Sequence, residues 1–194
     1  LFYSREGKLA ILKIRGKPRM KIVLVTGWVG SGKDTFANVL VKHKGYRRFA
    51  FADPIKEQIA AEHNVPLELL HTQSGKQTVV NGKTLRQHCI DLGESKRRED
   101  SEHWGKQIAK QIKESRCEKV VISDWRLLPE LFAIQKAFPD AFLVPIRMNR
   151  AAQYISSVPD LTEYSLLGFP FAFTIQNSGI SEEELLNQIN LLPL

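Results

Sequence analysis

Lys33, Asp34 and Thr35 close a stretch, Lys21 to Thr35, whose residue types suit the binding of a polyphosphate. Ile22, Val23, Leu24 and Val25 form an apolar, β-branched run of the kind that makes a buried parallel strand. After Gly27 come Trp28, Val29, Gly30, Ser31, Gly32 and Lys33, and then a helical pattern carried by Phe36, Ala37, Val39 and Leu40. The spacing Gly27-x-x-x-x-Gly32-Lys33 between strand and helix is that of a phosphate-binding loop. Glycines let the backbone curl so that several N–H groups face one anion, and the helix N-terminus adds its positive end. Gly30, Ser31, Gly32, Lys33, Asp34 and Thr35 are therefore expected to cradle the phosphates of ATP, with Lys33 reaching the γ-phosphate. Asp34 stands where Ser or Thr usually meets magnesium, so either Asp34 or Thr35 is the expected approach to Mg2+.

A second carboxylate fits the same chemistry. Lys119 to Ile122 is an apolar strand followed by Ser123 and Asp124, and an Asp at the carboxyl end of such a strand reaches a metal beside the loop. Arg126 follows it, and Arg147 and Arg150 bracket the end of another strand, Ala141 to Arg147. Phosphoryl transfer asks for cations around the migrating group, a magnesium ion and exclusion of water. Lys33, Arg126 and Arg150 are the candidates for stabilising the transition-state charge, with Asp34, Thr35 and Asp124 as candidates for the metal. No N-K-x-D base-reading motif of a GTPase is present, and 194 residues are few for a motor or helicase.

The elements that position these groups read as alternating strands and helices. Strands are expected near residues 22, 46 (Tyr46 to Ala52), 119, 141 and 171. This predicts an α/β P-loop kinase fold: a three-layer sandwich with a five-stranded parallel sheet, a helical, charged insertion at about 64–104 and a lid at about 148–163. Asp53 with Pro54 suggests an N-cap and first helical residue, and Ser181 with Glu184 a capping box. Asn81-Gly82 is a turn signal, and the helical run from Thr84 is expected to end near Gly93. Trp104, Ile108, Ala109 and Ile112 share one face of a further helix, and Leu128 to Ala137 make another. Pro145 inside its strand predicts an edge or a bulge.

Charge and composition narrow the class. Of 28 basic and 21 acidic residues, six and one lie in positions 1–19, which leaves 22 against 20 in the rest. The excess is thus a basic N-terminal extension set apart from a single kinase domain at 20–194, with Met20 a candidate start. The extension lacks the apolar segment of a secretory signal, while an organellar presequence stays open. No apolar run has the length of a membrane span, and nucleic acid is not expected as a partner. Cys89 and Cys117 lack metal-site spacing and suit a reducing, cytoplasmic setting.

These residues resemble a family of small P-loop kinases that groups viral deoxynucleoside monophosphate kinases with animal-type phosphomevalonate kinases. The resemblance runs from Met20 to the C-terminus. It is carried by G-S-G-K-D-T at the loop, D-P-I-K at 53–56, L-R-Q-H-C-I-D-L-G at 85–93, S-D-W-R at 123–126, T-E at 162–163 and I-x-N-x-G at 175–179. It implies that Lys56, Arg86 and Arg97 hold the acceptor phosphate with Trp104 and Glu163 nearby, and that Asn177 lies beside the adenine. G-E-S-K-R at 93–97 and A-E-H-N at 61–64 look more like the phosphomevalonate branch. The lack of its K-R-K cluster, Leu127 in place of a second arginine, and Trp104 look more like the nucleotide branch. An acceptor with one phosphate and an aromatic base needs fewer cations and more stacking surface. The favoured reading is transfer from ATP to a (deoxy)nucleoside monophosphate, with phosphomevalonate as the alternative acceptor. A non-catalytic nucleotide-binding module is a further alternative, and a homodimer is allowed.

Overall fold

A computed structural model describes residues 20–150 and 161–194. The basic extension at 1–19 and residues 151–160 of the expected lid lie outside the described residues.

The first strand, β1 (Lys21–Thr26), is buried along its length, and its side chains alternate between two cores. Val23 and Val25 face one layer with Phe36 and Leu40 of α1 (Lys33–Lys44) and Leu185 and Ile189 of α6 (Glu182–Asn190). Ile22 and Leu24 face the opposite layer with Ile108 and Ile112 of α4 (His103–Ser115) and Leu131 and Ile134 of α5 (Leu128–Ala137). The sheet between these layers holds β1, β2 (Arg47–Phe49), β5 (Lys119–Ile122), β6 (Phe142–Asn149) and β7 (Phe173–Gln176), all parallel, in the order β2-β5-β1-β6-β7. This is the α/β architecture expected from the alternation of strand and helix patterns.

Between α2 (Asp53–His63) and α4 the chain makes two short 3-10 turns, Leu67–His71 and Gly75–Gln77. A two-stranded hairpin of β3 (Val79–Val80) and β4 (Lys83–Thr84) follows, then α3 (Leu85–Glu99). Asn81 and Gly82 both take positive φ, 49° and 78°, as a tight hairpin turn requires. The segment has its own small core of Ile59, Leu70 and Leu85.

Three expectations are corrected. Pro145 lies in β6 between β1 and β7, neither at an edge nor in a bulge. Its carbonyl accepts from Ala172 N at 3.0 Å, on the side where the β7 ladder starts only at Ile146. In a parallel strand the N–H and C=O of one residue point the same way, so the donor that proline lacks would meet no partner strand there. Second, α3 does not stop near Gly93 but runs to Glu99. The Trp104 indole donates to Gly93 O at 3.1 Å, and Ile55 Cδ1 lies 3.4 Å from where a Cβ would stand, so close packing makes use of a glycine inside the helix. Third, Asp53 is not the N-cap of α2. Ala52 holds that place and Asp53 pairs with Lys56 at 2.9 Å. The β2 ladder is also shorter than Tyr46 to Ala52, because the next amides turn toward a side chain described below.

The candidate phosphate and acceptor site

The loop after β1 reverses through Gly27, Gly30 and Gly32, with φ of 146°, 77° and 93°, before α1 begins at Lys33. No side chain caps the first turn of α1, so its amide end faces the loop. The Lys33 ammonium donates to Gly27 O at 2.6 Å and Trp28 O at 2.7 Å, which holds the cation against the curl of the loop. Ser31 lies beneath the loop: its amide donates to Trp28 O, and its buried hydroxyl has no hydrogen-bond partner among the described residues. Asn177 crosses from the end of β7 and donates from Nδ2 to Ser31 O at 3.0 Å. Arg150 donates from Nη1 to Gly30 O at 3.2 Å. The Trp28 ring meets the edge of Tyr164 with centroids 4.9 Å apart. The structure thus gathers Gly30, Ser31, Gly32, Lys33, Arg150 and Asn177 on one loop.

Asp124 enters from the end of β5. Its Oδ1 accepts from Phe51 N at 2.7 Å and its Oδ2 from Ala52 N at 2.9 Å, so this carboxylate, not Asp53, takes up amides at the entry to α2. Burial pushes its carboxyl pKa up, against the pull of those two amides. Asp34, by contrast, is 75% exposed at the head of α1 and pairs with Arg48 at 2.8 Å. The same guanidinium donates from Nε to Ser123 Oγ at 2.9 Å, which ties the first turn of α1 to the residue before Asp124. Arg48 thus links the exposed Asp34 at the head of α1 to the end of β5, where both oxygens of Asp124 already accept amides. An exposed carboxylate such as Asp34 suits Mg2+, an ion that keeps most of its waters and takes only one or two protein carboxylates. No cluster of three His, Cys, Asp or Glu residues occurs among the described residues.

Arg126, two residues after Asp124, donates from Nη1 to Thr162 Oγ1 at 3.2 Å. Its backbone N and that of Leu127 both donate to Glu130 Oε2, at 3.1 and 3.0 Å. Glu130 is buried, and desolvation together with the nearby Asp124 charge pushes its pKa up to about 7.

A second group of cations lies on α2 and the segment that leads from it to α4. Lys56 is half-buried and paired with Asp53. Burial lowers the Lys76 ammonium pKa first and the Lys56 and Arg86 charges next, while Cys89 and Asp34 act the other way. Arg97 folds back over Gly93, its guanidinium nitrogens 3.4 Å from where a Cβ would stand. Its charge also acts on Glu130. Trp104 departs from the expected arrangement: it is 2% exposed, its indole N–H is taken by Gly93 O, and it presents no stacking face to a ligand. Glu163 belongs to the 3-10 turn Leu161–Tyr164, with its side chain outside the described residues.

Arg48, Lys76 and Glu130, which the structure ties to these groups, were not singled out in the sequence. The doubled arginine of Tyr46-Arg47-Arg48-Phe49 breaks strand alternation and was a signal for Arg48. A glutamate at the third position of α5 was one for Glu130. Lys76 sits in an irregular stretch and gave none.

Comparison with known proteins adds a family. The family model described as phosphomevalonate kinase matches residues 25–140. A search of curated proteins finds no match. Among solved structures, a candidate kinase from Chloroflexus aurantiacus aligns with a TM-score of 0.51 at 15% identity, over 90% of this chain and 96% of that one. This likeness carries the fold. The APS kinase CysC of Mycobacterium tuberculosis, in complex with AMPPNP and APS, aligns at 0.47 and 14% identity over 92% and 100%. Shikimate kinase from Acinetobacter baumannii aligns at 0.45 and 11% over 89% and 92%.

Proposed function

The chain belongs to the phosphomevalonate kinase family, and from that premise we propose that it transfers the γ-phosphoryl group of ATP to the phosphate of phosphomevalonate. The observation that carries this choice of acceptor is the family match over residues 25–140, and a Trp104 buried away from any ligand fits it. A nucleotide base asks for an aromatic face and one phosphate clamp. An acceptor with a phosphate at one end and a carboxylate at the other asks for several cations and no stacking surface. Lys76 supplies part of the positive charge that the loop, with Trp28 and Val29, lacks.

In this reading the loop amides from Gly30 to Thr35 hold the ATP phosphates, and Asn177 borders the adenine end. Lys56, Lys76, Arg86 and Arg97 fix the acceptor. Orienting one acceptor phosphate oxygen in line with the γ-phosphorus is most of the catalytic task. That oxygen bonds to the γ-phosphorus as the bond to the ADP oxygen breaks, giving ADP and a diphosphate ester. Lys33, Arg126 and Arg150 balance the charge spread over the equatorial oxygens. Asp34 or Thr35, with Asp124, would hold Mg2+, which when bound supplies further positive charge to the β- and γ-phosphates. Glu130 keeps the backbone at Arg126 in place.

The test is coupled ADP formation with ATP and Mg2+ against phosphomevalonate, dTMP, dGMP, dCMP, dAMP and the ribonucleotides. Turnover with phosphomevalonate alone is expected. Turnover with a nucleotide and none with phosphomevalonate would return the acceptor to the nucleoside monophosphate class. Silence across the panel, with ATP bound, would support a non-catalytic nucleotide-binding module. Lys76→Met is expected to raise the acceptor KM about tenfold or more, the value of one charged hydrogen bond, with the KM for ATP unchanged. An unchanged acceptor KM would remove Lys76 from the site.

A further inference from the structure

Asp34 poses an electrostatic problem. It follows the loop lysine directly, largely exposed, at the end of α1 where the phosphates of a nucleotide converge. A free carboxylate there repels a polyphosphate. Arg48 of β2 answers this charge: Nη2 reaches Asp34 Oδ1 at 2.8 Å while Nε reaches Ser123 Oγ at 2.9 Å. An exposed ion pair alone contributes little, because two long side chains must be ordered in water. The second bond changes this, since Ser123 is buried at the end of β5 and anchors the planar guanidinium in one orientation. Arg48 thereby spans the head of α1, where the exposed Asp34 stands, and the end of β5.

We propose that Arg48 is a positioning residue of the nucleotide site: it neutralises and aims Asp34 so that ATP can enter before the metal, and it yields Asp34 when Mg2+ arrives. The inference rests on the reading of the loop as an ATP site and goes beyond it, because nothing in that reading uses Arg48. A resident cation would hold the acidic first turn of α1 compatible with a tetra-anionic ligand, and the metal would then duplicate its charge. The contribution of Arg48 is thus largest where the metal is absent.

The experiment is calorimetric titration of the full chain with ATP, once in EDTA and once in excess MgCl2. Arg48→Ala is expected to weaken metal-free ATP binding about tenfold and to bind within about threefold of wild type with Mg2+. Adding Asp34→Asn to Arg48→Ala is expected to restore most of the metal-free affinity, since no charge then needs neutralising. A change under about twofold in EDTA would overturn the proposal. So would failure of Asp34→Asn to restore binding, which would leave Arg48 a structural tether to Ser123. Wild-type chain that takes up no ATP in either buffer would overturn the loop assignment and this proposal with it. That result is distinct from a wild type that binds and an Arg48→Ala variant that binds equally well.

Discussion

Glu130 shows how one buried carboxyl links stability to the site. Its pKa is raised from the ordinary 4.5 to about 7 by burial and by Asp124. An acid whose folded pKa lies above its unfolded one stabilises the fold below the unfolded value and loses that contribution as pH rises through the folded value. The chain is therefore expected to lose up to about 3 kcal/mol from this group between pH 5 and pH 8, at 1.36 kcal/mol per pKa unit. Glu130→Gln keeps a carbonyl oxygen for the amides of Arg126 and Leu127 but cannot ionise. Urea unfolding in EDTA should show a flatter pH dependence for this variant and greater stability than wild type at pH 8. Equal slopes for the two proteins would show that another group governs the acid-to-neutral change. Lys76 is also perturbed, downward, by burial and by two neighbouring cations. Cys89 and Asp34 act on it in the opposite direction, after burial and the two cations.

At the scale of elements, α4 and α5 cross where side chains are small. A Cβ built on Gly105 would lie 2.5 Å from Ala133 Cβ and 3.2 Å from Glu130 O. In an open helix Gly→Ala gains about 1 kcal/mol, but overpacking costs about 1–3 kcal/mol. Gly105→Ala is therefore expected to lower the urea midpoint, and Ala133→Gly in the same chain to recover part of the loss. A stabilised Gly105→Ala chain would mean that the two helices slide apart freely. Elements of this kind were largely legible in the sequence. The β1 run, the five parallel strands and the Ser181–Glu184 capping box all follow from local pattern and chemistry. Pro145, Gly93 and Asp53 were misread for one shared reason. Each is a local signal whose meaning is set by a partner distant in the chain: the late start of β7, the indole of Trp104, and the carboxylate of Asp124. The site divides in the same way. Lys33 and the loop glycines are contiguous and could be read, whereas Lys76 acquires its environment only when the segment between α2 and α4 folds back toward Lys56 and Arg86.

For the whole molecule, the net charge of +7 hides two different populations of cations. Six basic residues fall within positions 1–19, and those of the proposed acceptor site lie between Lys56 and Arg97. The two respond differently to salt. Cations that contact a polyanion through condensed counterions lose affinity steeply with ionic strength, whereas half-buried cations facing a small ligand are screened much less. The full chain is expected to be retained on a heparin column at low salt and to elute readily as salt rises. A chain beginning at Met20 should flow through while keeping the kcat and acceptor KM of the full chain within about twofold. Acceptor KM should rise by less than about threefold between 50 and 300 mM NaCl in both chains. If the shortened chain instead lost acceptor affinity tenfold or more, the extension would belong to the acceptor site, and the cluster around Lys76 would be only part of it. If it kept its hold on heparin, the polyanion-binding charge would lie in the kinase segment itself, where 22 basic residues nearly balance 20 acidic ones and only a concentrated patch could supply it.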